Sequence, residues 1–215
     1  MRLYQSVGPN PRVVTMFIAE KGLEVERRFI DVPGGENRQA AFLALNPFGQ
    51  TPLLETDAGR HISESIAICE YLEERAPDPP LIGSDAEERA ETRMLVRRID
   101  SDIVMPLTTG FRGAEGLPIF QSRMRCVPEG AETLKACARD GMARFDEWLA
   151  GREWIAGERF TVADILLFAF LDFGRMFGQP IAGELTQLAA WFERCSARPS
   201  AAASADPKVG MREPA

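Results

Sequence analysis

With 215 residues, 45% of them hydrophobic and 27% charged, the chain has the composition of a soluble globular protein and room for one large domain or two small ones. A net charge of −7 argues against a nucleic-acid partner, because holding phosphates needs a basic footprint. The longest apolar run, from Ile165 to Phe173, is interrupted by Asp172 and falls well short of the ~20 residues that cross a bilayer.

Residues 2–7 read as a first strand, broken by Gly8-Pro9-Asn10-Pro11. Asn10 has the chemistry of an N-cap and Pro11 that of a first helical residue. The helix that follows places Val13, Phe17 and Ile18 on one face and ends at Gly22. A second strand lies within residues 23–32, around Val25, Phe29 and Ile30. Gly34, Gly35 and Asn37 mark a loop, and residues 39–45 a short helix stopped by Asn46-Pro47. Leu53-Leu54-Glu55 is a strand, Asp57-Ala58-Gly59 a hairpin turn, and residues 60–62 the return strand. Ser65 to Arg75 is an amphipathic helix. This β-α-β, α-β-β-α order predicts a small α/β unit with a mixed sheet.

Ala76-Pro77-Asp78-Pro79-Pro80 is a stiff, extended linker, and beyond it strand signals stop. Residues 87 to about 111 form a long helix that Pro106 should kink or end. Residues 132–149 are helical. Thr161-Val162-Ala163-Asp164 has the form of a capping box with Asp in place of Glu, opening an apolar helix to about Phe177. A last helix carries Leu185, Leu188, Trp191, Phe192 and Cys195 and stops near Pro199. The small residues after it predict a surface tail. The division expected is 1–76 for the α/β domain, 77–86 for the linker and 87–215 for an all-helical domain. Cys69, Cys126, Cys137 and Cys195 are widely spaced with no C-x-x-C pair, so neither a zinc site nor a dithiol motif is indicated. Reduced cysteines and a start that runs straight into a strand pattern, with no secretory leader, predict a cytoplasmic protein.

The most informative stretch is Asn46-Pro47-Phe48-Gly49-Gln50-Thr51-Pro52, followed by Ile62-Ser63-Glu64-Ser65-Ile66. Pro52 sits where a strand begins, the position open to a residue without a ladder donor. Glu64 and Ser65 stand at a helix mouth, whose free N–H groups and positive dipole end suit a carboxylate. An extended backbone edge and an anion-binding helix start, separated by a hairpin, can hold a small peptide-like acid. These motifs, with Ile68-x-Glu70-Tyr71-Leu72 after them, resemble the glutathione-binding half of cytosolic glutathione transferases, and the resemblance continues to about Pro199. It implies an N-terminal thioredoxin-like domain, a C-terminal helical bundle, glutathione as co-substrate with no metal or redox cofactor, and a two-fold homodimer.

The resemblance also implies roles for particular residues. Thr51, before Pro52, would pair its backbone with the cysteinyl segment of glutathione. Ser65 and Glu64 would take the γ-glutamyl end, where Arg12 could assist or stay solvated. Gln50 and Arg38 could reach the glycyl carboxylate. The thiolate partner is open. The chain has Ser6 where some families carry a catalytic Tyr, Gly8 where others carry Ser or Thr, and no Cys in this loop. Pro9-Asn10 is similar to the Pro-Asn of nu-class transferases, so Ser6 and Asn10 are the candidates, each with a plainer role: Ser6 satisfying a nearby backbone group, Asn10 capping its helix. Tyr4 reads as core, His61 as structural and Asp164 as a helix cap. Ser101, Met105, Thr109, Phe111 and Arg112 are candidates, by position, for contacts to a hydrophobic electrophile in a cleft expected between the domains. The reaction expected is attack of the bound thiolate on that electrophile. The alternatives are a glutathione-dependent disulfide or peroxide reductase and a non-catalytic module that binds glutathione or a protein.

Overall fold

A computed structural model describes residues 1–208. The chain forms two compact units, Met1–Leu81 with Ala197 onward, and Ile82–Ser196.

The first unit holds strands β1 (Arg2–Gln5), β2 (Glu26–Phe29), β3 (Leu53–Glu55) and β4 (His61–Ser63), with helices α1 (Pro9–Glu20), α2 (Ala40–Leu43) and α3 (Ser65–Arg75). The sheet order is β2-β1-β3-β4; β1 and β2 are parallel, and β3 is antiparallel to both its neighbours. This is the mixed sheet expected from the element order, in the thioredoxin-like arrangement that the resemblance implies. Strand alternation sends Tyr4 into a cluster with Ile30, Phe42 and Leu53. Helix α1 buries Val13, Val14, Met16, Phe17 and Ile18, and α3 buries Ile68, Cys69 and Leu72; the two helices pack on each other.

Asn10 is not the N-cap. Helix α1 starts at Pro9, and Gly8 caps it at φ 122 with no side-chain hydrogen bond. Pro9 takes the first helical position, where its missing N–H costs nothing, and Gly8 adopts the positive φ open to a residue without Cβ. At the other end, the Leu23 N–H bonds the Ile18 carbonyl (3.0 Å) and that of Gly22 bonds Ala19 (3.1 Å), a Schellman closure around Gly22.

Lys21 is buried at the end of α1. Its ammonium pairs with the carboxylate of Glu73 and donates to the carbonyls of Ala76 (2.7 Å) and Pro77 (3.2 Å). One buried cation therefore fastens the proline-rich stretch after α3 to the α/β unit.

The second unit contains α4 (Ala86–Ile99), α5 (Met105–Gly113), α6 (Leu117–Phe120), α7 (Ala131–Leu149), α8 (Val162–Met176) and α9 (Thr186–Ser196). The predicted long helix is interrupted earlier than expected: Asp100–Val104 forms a widened π turn, and Pro106 falls in the first turn of α5. A proline cannot bond the carbonyl four residues back, and the wider turn before it relieves the ring's clash. The capping box is present. The Thr161 hydroxyl accepts from the Ala163 N–H (3.3 Å), and Asp164 accepts from the N–H of Thr161 (2.9 Å), the N–H of Ile155 (3.0 Å) and Trp191 Nε1 (2.8 Å). Helix α8 is buried continuously from Val162 to Asp172, as its uniform hydrophobicity requires.

The expected surface tail instead begins with a further helix, α10 (Pro199–Ala203), packed on α1 with Ser200, Ala201 and Ser204 buried; its end, residues 209–215, lies outside the described residues. Arg198 donates twice to Glu20, Nε and Nη2 each at 2.7 Å, and the Ser200 hydroxyl donates to the same carboxylate. Small side chains here allow close helix approach, so lack of bulk does not mean exposure. This segment, expected within the helical domain, clusters with the first unit.

Candidate active site

Three segments converge at one end of the first sheet. Tyr4 pairs with Leu53, and Leu53 with Ser63. Because β3 is antiparallel to both neighbours, its entry lies beside the exits of β1 and β4. Ser6 leaving β1, Thr51-Pro52 entering β3, and Glu64-Ser65 leaving β4 therefore share one edge. Thr51 precedes the paired register and the Thr51–Pro52 bond is cis.

Ser65 opens α3, and Glu64 caps that helix from the left-handed side at φ 70 without a side-chain cap bond. A non-glycine residue there costs about 1–3 kcal/mol and is held in place by its surroundings. The Ile68 N–H bonds the Glu64 carbonyl (3.0 Å), so the first N–H groups of the helix, beginning with that of Ser65, point outward with the positive end of the dipole. Ser65 is therefore not a cap for its own helix. It is buried, and its hydroxyl donates to Asn10 Oδ1 at 3.1 Å, bridging 55 positions of sequence.

Ser6 is 1% exposed, and its hydroxyl has no hydrogen-bond partner among the described residues. Gln5 beside it is fully buried, and its amide donates to the carbonyl of Pro207. Of the possible backbone donors at the start of α1, Pro9 and Pro11 supply none, which leaves the N–H groups of the Val7-Gly8 turn and Asn10.

The Gln50 end is held by two asparagines that the sequence did not single out for a role. Asn46 Nδ2 donates to the Gln50 carbonyl (2.9 Å), and buried Asn37 donates to the Gly49 carbonyl (2.6 Å). Gly49 has φ +62, and a Cβ there would lie 2.9 Å from the Asn37 carbonyl oxygen and 3.2 Å from Arg38 Nη1. The Arg38 guanidinium thus lies against the same loop, while the Gln50 side chain is exposed. The loop's asparagines were legible as turn formers; that they bond inward to the backbone was not.

Tyr4 is core, its hydroxyl donating to Glu55 (2.8 Å). His61 is exposed on β4. Arg12 reaches the Ala201 carbonyl (3.4 Å). In the second unit, Ser101 is exposed and bonds the Arg98 carbonyl (3.2 Å) and Asp102 (3.0 Å). Met105 is 53% exposed, Thr109 half-buried, and Phe111 buried against the rings of Phe173 (4.9 Å) and Phe177 (4.6 Å). Arg112 lies over the Phe120 ring (5.6 Å), and burial lowers its pKa from the ordinary arginine value.

A thioredoxin-like α/β unit with an open helix start at Ser65, joined in sequence to an all-helical unit, is the class that this fold defines. Residues 7–75 match the family model for the glutathione S-transferase N-terminal domain and residues 131–199 that for the C-terminal domain. The chain is 32% identical to glutathione S-transferase 2 of Saccharomyces cerevisiae, over 90% of this chain and 84% of that protein. It is 33% identical to maleylacetoacetate isomerase of Pseudomonas aeruginosa, over 77% of this chain and 76% of that one. A solved glutathione S-transferase domain-containing protein from Marinobacter aquaeolei superposes with a TM-score of 0.88 at 38% identity, covering 93% of this chain and 99% of that one. The chain belongs to the glutathione S-transferase family.

Proposed function

We propose that the sheet edge formed by Thr51-Pro52, Glu64-Ser65 and the Ser6–Asn10 loop binds glutathione and presents its thiolate to a small hydrophobic electrophile. The observation that carries this reading is the convergence of an unpaired strand entry at Thr51 with the open helix start at Ser65. Thr51 lends its backbone to the cysteinyl segment, as an extended peptide site does. Ser65 and the α3 N-terminus take the γ-glutamyl carboxylate, and exposed Glu64 takes the γ-glutamyl ammonium. Gln50 and Arg38 take the glycyl carboxylate. A thiol of pKa about 8.5 ionises more readily beside hydrogen-bond donors and a helix N-terminus, which the Ser6 hydroxyl and the backbone N–H groups of the Ser6–Asn10 loop can supply. Met105 and Arg112 are the proposed contacts to the electrophile, with Phe111 backing them from the aromatic cluster.

We further propose a homodimer. Phe48 is 77% exposed on the loop clamped by Asn37 and Asn46, a rigidly offered ring whose burial on a second copy would contribute about 1.5–3 kcal/mol per side.

Turnover with a chloronitroarene, a hydroperoxide and a small mixed disulfide tests the reaction. Conjugation of the arene that saturates in glutathione is expected. Turnover confined to the hydroperoxide or the disulfide would make the chain a reductase, and retention on immobilised glutathione without any turnover would make it a binding module.

A further inference from the structure

The hydrogen bond between Ser65 and Asn10 couples two parts of the site that sequence reading kept apart. Asn10 was a candidate for the sulfur and Ser65 for the γ-glutamyl carboxylate. Their side chains touch at 3.1 Å, while Asn10 makes no cap for its own helix because Gly8 and Pro9 have taken those positions. We propose that Asn10 is a positioning residue for Ser65, acting on the carboxylate end of glutathione rather than on its sulfur; this rests on the binding reading given above.

A serine hydroxyl has one proton. In the free protein that proton goes to Asn10 Oδ1. A carboxylate accepts only, so to bind it Ser65 must turn its proton towards the ligand, which leaves the serine oxygen free to accept. An asparagine amide has both an oxygen and an NH2 group. By rotating the amide, Asn10 moves from accepting the serine proton to donating its own to the serine oxygen. The hydroxyl stays held in both states, and in the bound state the polarised chain runs from amide to hydroxyl to carboxylate. The near-burial of Ser65 makes such a partner matter, because a largely buried hydroxyl without one is costly. An alanine at position 10 releases the hydroxyl. An aspartate fixes it in the wrong direction, because it accepts and cannot donate.

A double-mutant cycle tests this. Calorimetric affinities for glutathione and S-methylglutathione are compared in wild type, Asn10→Ala, Ser65→Ala and the double variant, with thermal melts to check folding. Asn10→Ala should weaken both ligands equally, by about fivefold, and by less than about twofold once Ser65 is alanine. Asn10→Asp should weaken both at least as much as Asn10→Ala. A glutathione analogue lacking the γ-glutamyl α-carboxylate should be indifferent to Asn10→Ala. Equal losses from Asn10→Ala with and without Ser65 would overturn the proposal, as would a loss for glutathione that is absent for S-methylglutathione, which would return Asn10 to the sulfur. If Ser65→Ala alone leaves glutathione affinity unchanged, the binding role of Ser65 fails first and the positioning role fails with it.

Discussion

At the scale of single residues, Ser6 and Lys21 show how burial decides what a polar group does. The Ser6 hydroxyl is buried and without a partner among the described residues, a state that costs about 1–3 kcal/mol and that a thiolate accepting its proton would relieve. Ser6→Ala should therefore raise the pKa of bound glutathione by roughly one unit, equivalent to about 1.4 kcal/mol, and move the pH–rate profile for conjugation up with it. Ultraviolet titration of the bound thiolate reads this directly. An unchanged pKa would assign the sulfur to the N–H groups of the Val7-Gly8 turn. Lys21 illustrates the opposite case, a buried charge fully engaged by Glu73 and linker carbonyls. Lys21→Met removes the buried counter-charge of Glu73 and should cost about 3–5 kcal/mol, measured by denaturant unfolding. A loss below about 1 kcal/mol would mean that the linker is held by other contacts.

At the scale of elements, two carboxylates should give opposite pH signatures. Burial raises the pKa of Asp164 to about 6 from a usual 3.8, against the pull of its Ile155, Trp191 and Thr161 donors. Between those values the folded protein holds a proton that the unfolded chain has released, so this group's contribution to stability falls as pH rises from about 4 to about 6. Burial also acts to raise Glu20, but hydrogen bonds from Arg198 and Ser200 outweigh it, and its pKa lies below the usual 4.5. Its contribution is complete above that value and is lost as pH falls through the lower folded pKa. Asp164→Ala should lose about 3 kcal/mol, from the broken capping box and the stranded buried donors, and the gap from wild type should narrow as pH climbs from 4 to 6. Glu20→Ala should release α10 from α1, and its gap from wild type should narrow as pH falls below about 4.5. Thermal melts across pH check both, and a gap independent of pH would remove the proposed titration.

These elements also show what the sequence could reveal. The capping box was legible because its signal is local: Thr161, a three-residue step, and Asp164 ahead of an apolar run. Strand β3 and the start of α3 were legible for the same reason, from Pro52 and from the turn between them. Asn10 misled because two prolines compete for the helix start, and a preference scale for caps does not say which one takes it. The tail misled because its partners, Glu20 and Arg12, lie almost two hundred residues away, and nothing in a run of Ala and Ser announces a distant docking face. The Asn10–Ser65 bond was hidden for the same reason: each residue had a sufficient local role.

At the scale of the whole molecule, the proposed assembly rests on one exposed ring. If Phe48 is an anchor between copies, Phe48→Ser should shift sedimentation at micromolar concentration from dimer towards monomer while far-ultraviolet circular dichroism stays unchanged. A wild type that sediments as a monomer would end the proposal. The central claim, that the Thr51–Ser65 edge is a glutathione site, is tested most directly by calorimetric titration of the full chain with glutathione, in wild type and Ser65→Ala. The account predicts one site per chain in the wild type. In the variant it predicts a loss of about 10- to 100-fold, the worth of a hydrogen bond to a charged acceptor. Absence of binding to the wild type, or equal affinity in a folded Ser65→Ala, would contradict it.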